Sequence, residues 1–340
     1  MLVLSTAWSL TVQGQDHPRQ DHDSSYYESF REKLTARFYL SRKYNVLTFT
    51  PPGDDLIPQM TYRPNTRLVI GLGASYRAFT LNIGIGATPL HSVGERGRTR
   101  YFDFQTHYYA RKWNFDFLGQ FYRGYYLSPQ GLGSPDGKSY YVREDLSLQL
   151  VGIAGYRALN EYRFSYQAGL VQNEWQKQSA GSILIGGETF YGSLHGDSVL
   201  VPSAVDTAYY GKGIRQVHFF EFGPGIGYAY TLVIARHFFL LVSATVNLDF
   251  RFCREIETGH YADRTDFTPN FIFHAGAGYN TAKWNLSVLW VANRIYVKGN
   301  GSGYQYQISP GNYRLIYARR FTLGHKVKKV LKPLNDIIND

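Results

Sequence analysis

A chain of 340 residues with a formal net charge of +10, 16% aromatic side chains and a single cysteine excludes several classes at the outset. One cysteine makes neither an internal disulfide nor a cysteine-based metal site. Basic residues spread singly, without zinc-ligand spacing, a Walker-type loop or an RNA-binding aromatic signature, argue against a nucleic-acid partner. With 29 Tyr, 22 Phe and 34 Gly, the composition favours strands and turns over helices.

In chain order, an apolar run from Leu2 to Val12 ends in small residues, with Val12-Gln13-Gly14 as a cleavage site, which predicts a signal peptide over 1–14. Its basic leading region is missing, so either the true translation start lies upstream, which is the expectation, or the stretch is not a signal. Residues 15–33 read as a polar linker. Within it, Ser25 and Glu28 have capping-box spacing and Phe30 and Leu34 helical spacing, so a short helix or an unstructured linker is expected.

Over 34–321 the dominant signal is alternation. In VSATVNLDFRF (242–252) the even positions Val242, Ala244, Val246, Leu248, Phe250 and Phe252 are apolar, and the odd ones are Ser243, Thr245, Asn247, Asp249 and Arg251. On a strand these sets fall on opposite faces. The pattern recurs over 34–40, 102–108, 113–121, 146–154, 164–170, 220–226, 271–277, 286–292 and 313–317. Such runs suit the roughly 9–11 tilted residues that cross a bilayer. Aromatic residues gather near strand ends, as at Tyr108-Tyr109, Trp113, Tyr122, Tyr125-Tyr126, Trp284 and Tyr296, where interfacial girdles sit.

Connections alternate in length. Short ones lie near Tyr76-Arg77, Arg111-Lys112, 159–161, Ala235-Arg236 and 280–283, and long Gly- and Pro-rich ones cover 51–64, 88–98, 128–140, 177–215, 254–268 and 298–309. Five hairpins plus one strand at each end give about twelve strands, and an even count leaves both termini on the short-turn, periplasmic side. Residues 182–193 would make a thirteenth strand and are expected inside the longest outer loop. The tail, 322–340, carries apolar residues at helical spacing among lysines, as expected of a basic amphipathic segment on a membrane surface or a periplasmic partner.

KLTARFYLSRKYN (33–45), GLGASYRAFTLNIGIG (71–86) and QKQSAGSILIGGETFYGSLHGDSVLVP (176–202) resemble the domain-of-unknown-function family numbered 4421. The resemblance runs over about 26–321. It implies an outer-membrane β-barrel of the kind found largely in Bacteroidetes and brings no activity, because that family has none assigned. The expectation is an all-β fold: a transmembrane antiparallel up-and-down barrel in contact with outer-membrane lipid in a Gram-negative bacterium. Its function is expected to be that of a narrow or plugged channel or an envelope scaffold. An outer-membrane enzyme acting on lipid at the extracellular rim and a soluble β-rich binding protein are the alternatives.

Few residues carry chemistry. Ser179, Gly181, Gly186 and Gly187 in SAGSILIGG lack the Gly-Lys-Ser/Thr ending of a phosphate loop, and read better as small residues for close packing. His195, Asp197 and Ser198 are the catalytic candidates, though adjacency alone does not make a base and an orienter. Glu221, Asp249 and Arg251, with Asp103, are candidates for a charge network in the lumen, with Glu221 facing Arg251 across a hairpin. Its bracing role is expected over a role in ion selectivity. His107, His218, His237 and His274 stand singly on strands, so neither a metal nor a cofactor is expected.

Overall fold

The computed structural model describes residues 22–50, 59–76, 79–86, 94–205, 213–300 and 305–324. The predicted signal peptide and nearly all of the basic tail lie outside the described residues. Fifteen strands occur among the described residues. In chain order they are β1 (Tyr27–Ser29), β2 (Lys33–Thr50), β3 (Met60–Arg63), β4 (Val69–Tyr76), β5 (Phe79–Gly86), β6 (Arg100–Tyr109), β7 (Trp113–Ser128) and β8 (Val142–Ala158). These are followed by β9 (Glu174–Gln176), β10 (Ala180–His195), β11 (Gln216–Ile234), β12 (Phe238–Glu257), β13 (His260–Asn280), β14 (Trp284–Lys298) and β15 (Gln305–Thr322).

The hydrogen-bonded ring closes with ten strands where twelve were expected: β2, β15, β14, β13, β12, β11, β10, β8, β7 and β3, all antiparallel. The reason is β3. It pairs with residues 47–49 of β2 and 126–128 of β7, and so shortcuts the wall at the loop end. At the turn end, β4 and β5 extend from residues 35–41 of β2, and β6 extends from β7. Lys33 pairs with Thr322, which brings the first and last wall strands together at the turn end.

Two segments exchange the roles expected of them. Residues 164–170 do not form a wall strand: Ser165 Oγ accepts from Ala168 N at 3.0 Å and caps a one-turn helix, α1 (Tyr166–Leu170), whose residues are all buried. A helix buried on every side shows apolar residues at each second position as readily as a strand does. Conversely, residues 182–193 lie not in an outer loop but within β10, which pairs with β8 and β11. Gly186 and Gly187 serve close packing there, because a Cβ would stand 1.9 Å from the Gly155 carbonyl oxygen and 2.4 Å from that of Gly223. One expected strand is absent and one unexpected strand is present, so the exchange leaves an even count.

After Ser25 neither the short helix nor the unstructured linker that the sequence offered is found. Ser25 N and Oγ both donate to Asp23 Oδ1, forming a turn that leads into β1. β1 pairs with β9, and together with α1 they plug the turn end of the barrel.

The two faces of the wall settle what surrounds it. On β12, Val242 and Leu248 are 52% and 55% exposed on the outside, whereas Asn247, Asp249 and Arg251 are fully buried inside. Apolar outside and polar inside is the inverse of a water-soluble barrel, and it is the arrangement of a membrane-spanning one. The belt includes Ile226, Tyr228, Phe238, Val246, Phe252 and Val288. Each large side chain moved from water into lipid contributes on the order of 1.5–3 kcal/mol. Trp113 and Tyr108 face outward near the turn end, but Tyr109, Tyr122 and Tyr125 point inward and belong to the core, not to the girdle.

Strands of 16–21 residues are longer than a bilayer needs. At the loop end the pattern reverses: Leu146, Leu148 and Leu150 of β8 point inward, into an apolar core with Leu127, Leu194 and Leu200, while Gln149 and Arg254 point outward.

Candidate functional site

Between the loop-end core and the turn-end plug lies a buried polar layer built on neighbouring strands. Glu188 comes from β10, Glu221 from β11, Asp249 and Arg251 from β12, and Asn270 from β13. After Glu221 the next inward positions of β11 are Gly223, Gly225 and Gly227, so space opens beside it. A Cβ on Gly223 would stand 2.4 Å from Asp249 Oδ1, and one on Gly225 would stand 1.8 Å from Asn247 Oδ1.

Glu221 and Arg251 are register partners across the β11–β12 hairpin. Arg251 Nε donates to Glu221 Oε2 at 2.6 Å and Nη2 donates to the same oxygen, while Nη1 donates to Thr268 Oγ1 at 2.8 Å and to the Tyr296 carbonyl. Asn270 Nδ2 reaches Glu221 Oε1 at 2.7 Å, Asp249 Oδ2 at 2.5 Å and Glu188 Oε1 at 3.1 Å. Asn247 Nδ2 donates to Glu188 Oε2 at 2.9 Å, and Asn247 Oδ1 accepts from the Tyr156 hydroxyl at 2.6 Å. The guanidinium is thereby fixed by its neighbours on three strands, and removal of either charge strands the other in a dry interior.

Glu188, Glu221 and Asp249 each bring one carboxylate oxygen within 4.8 Å of the others, a hard-oxygen set of the kind a divalent cation takes. Asn270 Nδ2 already touches an oxygen of each, so the amide occupies the place between them. The arrangement is suited to tying four wall strands together through one charged knot.

The remaining sequence candidates scatter. Asp103 does not join Glu221, Asp249 and Arg251. It pairs with Lys43 at 3.0 Å and accepts from Gln120 Nε2 at 2.7 Å and the Tyr122 hydroxyl at 2.6 Å. His195 Nε2 lies 3.5 Å from Asp197 Oδ1 on the exposed rim. The Ser198 carbonyl accepts from Arg143, and its hydroxyl makes no hydrogen bond to His195 among the described residues. Ser179 Oγ and Val233 bond to one another at the foot of β10, where a Cβ on Gly181 would meet the Tyr228 hydroxyl at 2.3 Å.

Two features were missed. Glu188, Asn247 and Asn270 complete the knot. Glu188 was hidden by placing 182–193 in a loop, although Ser182, Gly186 and Glu188 alternate there with Ile183 and Ile185. His107 and His274, read as single residues, converge on one carboxylate: Asp116 Oδ1 is 2.5 Å from His107 Nδ1, and Asp116 Oδ2 is 3.7 Å from His274 Nε2. The first pair follows from the register of the β6–β7 hairpin. The second crosses the lumen and has no sequence signal.

A family model described as Domain of unknown function (DUF4421) matches residues 21–321. The chain belongs to the DUF4421 family. No curated protein matches it. Among solved structures, this DUF4421 barrel is similar to the outer-membrane protease OmpT from Escherichia coli, at 9% identity and TM-score 0.38, over 86% of this chain and 98% of that one. It is also similar to the outer-membrane-expressed OmpT of Vibrio cholerae, at 9% identity and TM-score 0.28 over 85% and 98% of the two chains. The toluene transporter TodX of Pseudomonas putida follows at 7% identity and TM-score 0.26, over 86% and 91%.

Proposed function

We propose that this DUF4421 chain is an outer-membrane barrel that acts as a closed envelope scaffold and conducts no solute in its resting form. The filling of the lumen supports this reading. An apolar core occupies the loop end, the Glu188–Glu221–Asp249–Arg251 knot crosses the middle, and α1 with β1 and β9 fills the turn end. An apolar outer belt calls for a bilayer, and a barrel of this kind with tight turns at one end belongs in a bacterial outer membrane. In that orientation the turn end, with both termini, faces the periplasm, and the long loops face outward. The basic segment after Thr322 then starts on the periplasmic side, placed for a membrane surface or an envelope partner.

Planar-bilayer recording of the purified full chain tests this. The expected trace shows insertion without steady conductance, and a reproducible ohmic current from the unmodified protein overturns the closed-lumen reading.

A further inference from the structure

The wall has a seam. β5 ends the path of the sheet, and β6 pairs only with β7 among the described residues, so the facing edges of β5 and β6 are not joined. Unbonded strand edges at the level of the apolar belt are costly, because hydrocarbon offers no hydrogen bonds.

A cavity of about 700 Å³ opens along this seam from the loop end towards the middle of the wall. It exists partly because β5 presents Asn82, Gly84 and Gly86 to it. Among the described residues its lining contains one carboxylate, Asp103, which Lys43 neutralises at 3.0 Å. Four guanidiniums, those of Arg67, Arg98, Arg100 and Arg314, then have no carboxylate among the described residues of the cavity wall to balance them. Arg314 stacks 5.0 Å over the Tyr39 ring, and its Nε is buried with no hydrogen-bond partner.

The outer surface beside the seam has the opposite character. Ile83 and Ile85 of β5 are 65% and 76% exposed, and Phe102 of β6 is 65% exposed, among the most exposed large apolar side chains of the described residues. A row of guanidiniums flanked by an apolar wall matches a molecule with an anionic head and hydrocarbon chains.

We infer that the β5–β6 seam is a lateral binding site for a phosphate-bearing amphiphile, its headgroup held by Arg67, Arg98, Arg100 and Arg314 and its acyl chains lying on Ile83, Ile85 and Phe102. The inference does not depend on whether the lumen conducts.

Calorimetric titration of the purified full chain in a nonionic detergent tests it, with dihexanoyl phosphatidic acid, dihexanoyl phosphatidylcholine and inorganic phosphate as probes. Phosphatidic acid is expected to bind once per chain, about tenfold or more tighter than either other probe. The variant Arg67→Gln/Arg98→Gln/Arg100→Gln should lose about tenfold or more of that affinity, and Arg100→Glu alone tests the same point if the triple variant does not fold. A control, Arg123→Gln/Arg254→Gln/Arg319→Gln, removes three guanidiniums outside the cavity and should leave binding unchanged. Inorganic phosphate binding as tightly as the lipid would assign a free-anion site and overturn the amphiphile. Phosphatidylcholine binding as tightly would overturn the role of the guanidiniums. Unchanged affinity in the seam variants, or equal loss in the control, would overturn the location.

Discussion

The middle of this barrel and its loop end bury opposite chemistries. On β12, within the belt, Val242 and Leu248 face out and Asn247, Asp249 and Arg251 face in, whereas on β8 at the loop end Leu146, Leu148 and Leu150 face in and Gln149 faces out. One rule produces both: apolar side chains turn away from water. Where lipid lies outside, the interior can be polar provided each group finds a partner, and where water lies outside the interior must supply the apolar core. A period of 2 therefore separates two faces without naming which is inner.

The contrast can be broken at several points. The largest effect is expected from Arg251→Ala, which leaves Glu221 buried without its partner and should destabilise by about 3–5 kcal/mol. Urea unfolding in detergent micelles checks this, and Arg251→Ala/Glu221→Gln should recover much of the loss. A single-variant loss no larger than that of an exposed arginine would remove the bracing role.

At the loop end, Leu148→Ala should cost about 3 kcal/mol through the cavity it leaves among Leu127, Leu194 and Leu200, measured by the same unfolding curve. Next, Val246→Arg puts a charge at mid-belt and should cost about 2 kcal/mol or more, while Gln149→Arg should change stability by no more than about 0.5 kcal/mol. Comparable costs for the two would mean that the lipid boundary lies elsewhere.

The smallest effect is expected at Asp136 in the loop between β7 and β8. Hydrogen bonds from the Ser134 and Ser139 hydroxyls and from the Ser139 and Lys138 amides hold its carboxyl well below the usual carboxylate range. A lowered pKa stabilises above the ordinary carboxylate value and is lost as pH falls through the lower, folded one. Asp136→Ala should accordingly speed amide exchange at Lys138 and Ser139 near neutral pH, with the difference closing only in strong acid. Exchange unchanged at neutral pH would show that the turn holds without the carboxylate.

Much of the wall was legible because β-strand alternation and turn length are local. Glu221 opposite Arg251 follows from a short turn near Ala235-Arg236 and simple counting, and His107 opposite Asp116 follows in the same way from the turn at Arg111-Lys112. Other features resisted local reading. Gly186-Gly187 looks like a loop signal yet marks the close approach of β8, β10 and β11. Residues 164–170 carry a strand-like pattern yet fold as a plug, because a fully enclosed helix has no polar face to betray its period. Asn270 entered the site only through the strand on which it sits.

By itself the sequence determined that the fold is built of β-strands, that these have one apolar and one polar face, and where most short turns fall, since each of these depends on neighbours a few residues apart; the long loop expected over 254–268 is instead the paired ends of β12 and β13, joined by two residues. Only the tertiary structure decided that the ring closes with ten strands through β3, that the β5–β6 edges meet without bonding, and which charges share a knot. Those outcomes depend on contacts between residues far apart in the chain, as between Asp116 and His274, which no spacing along the sequence encodes.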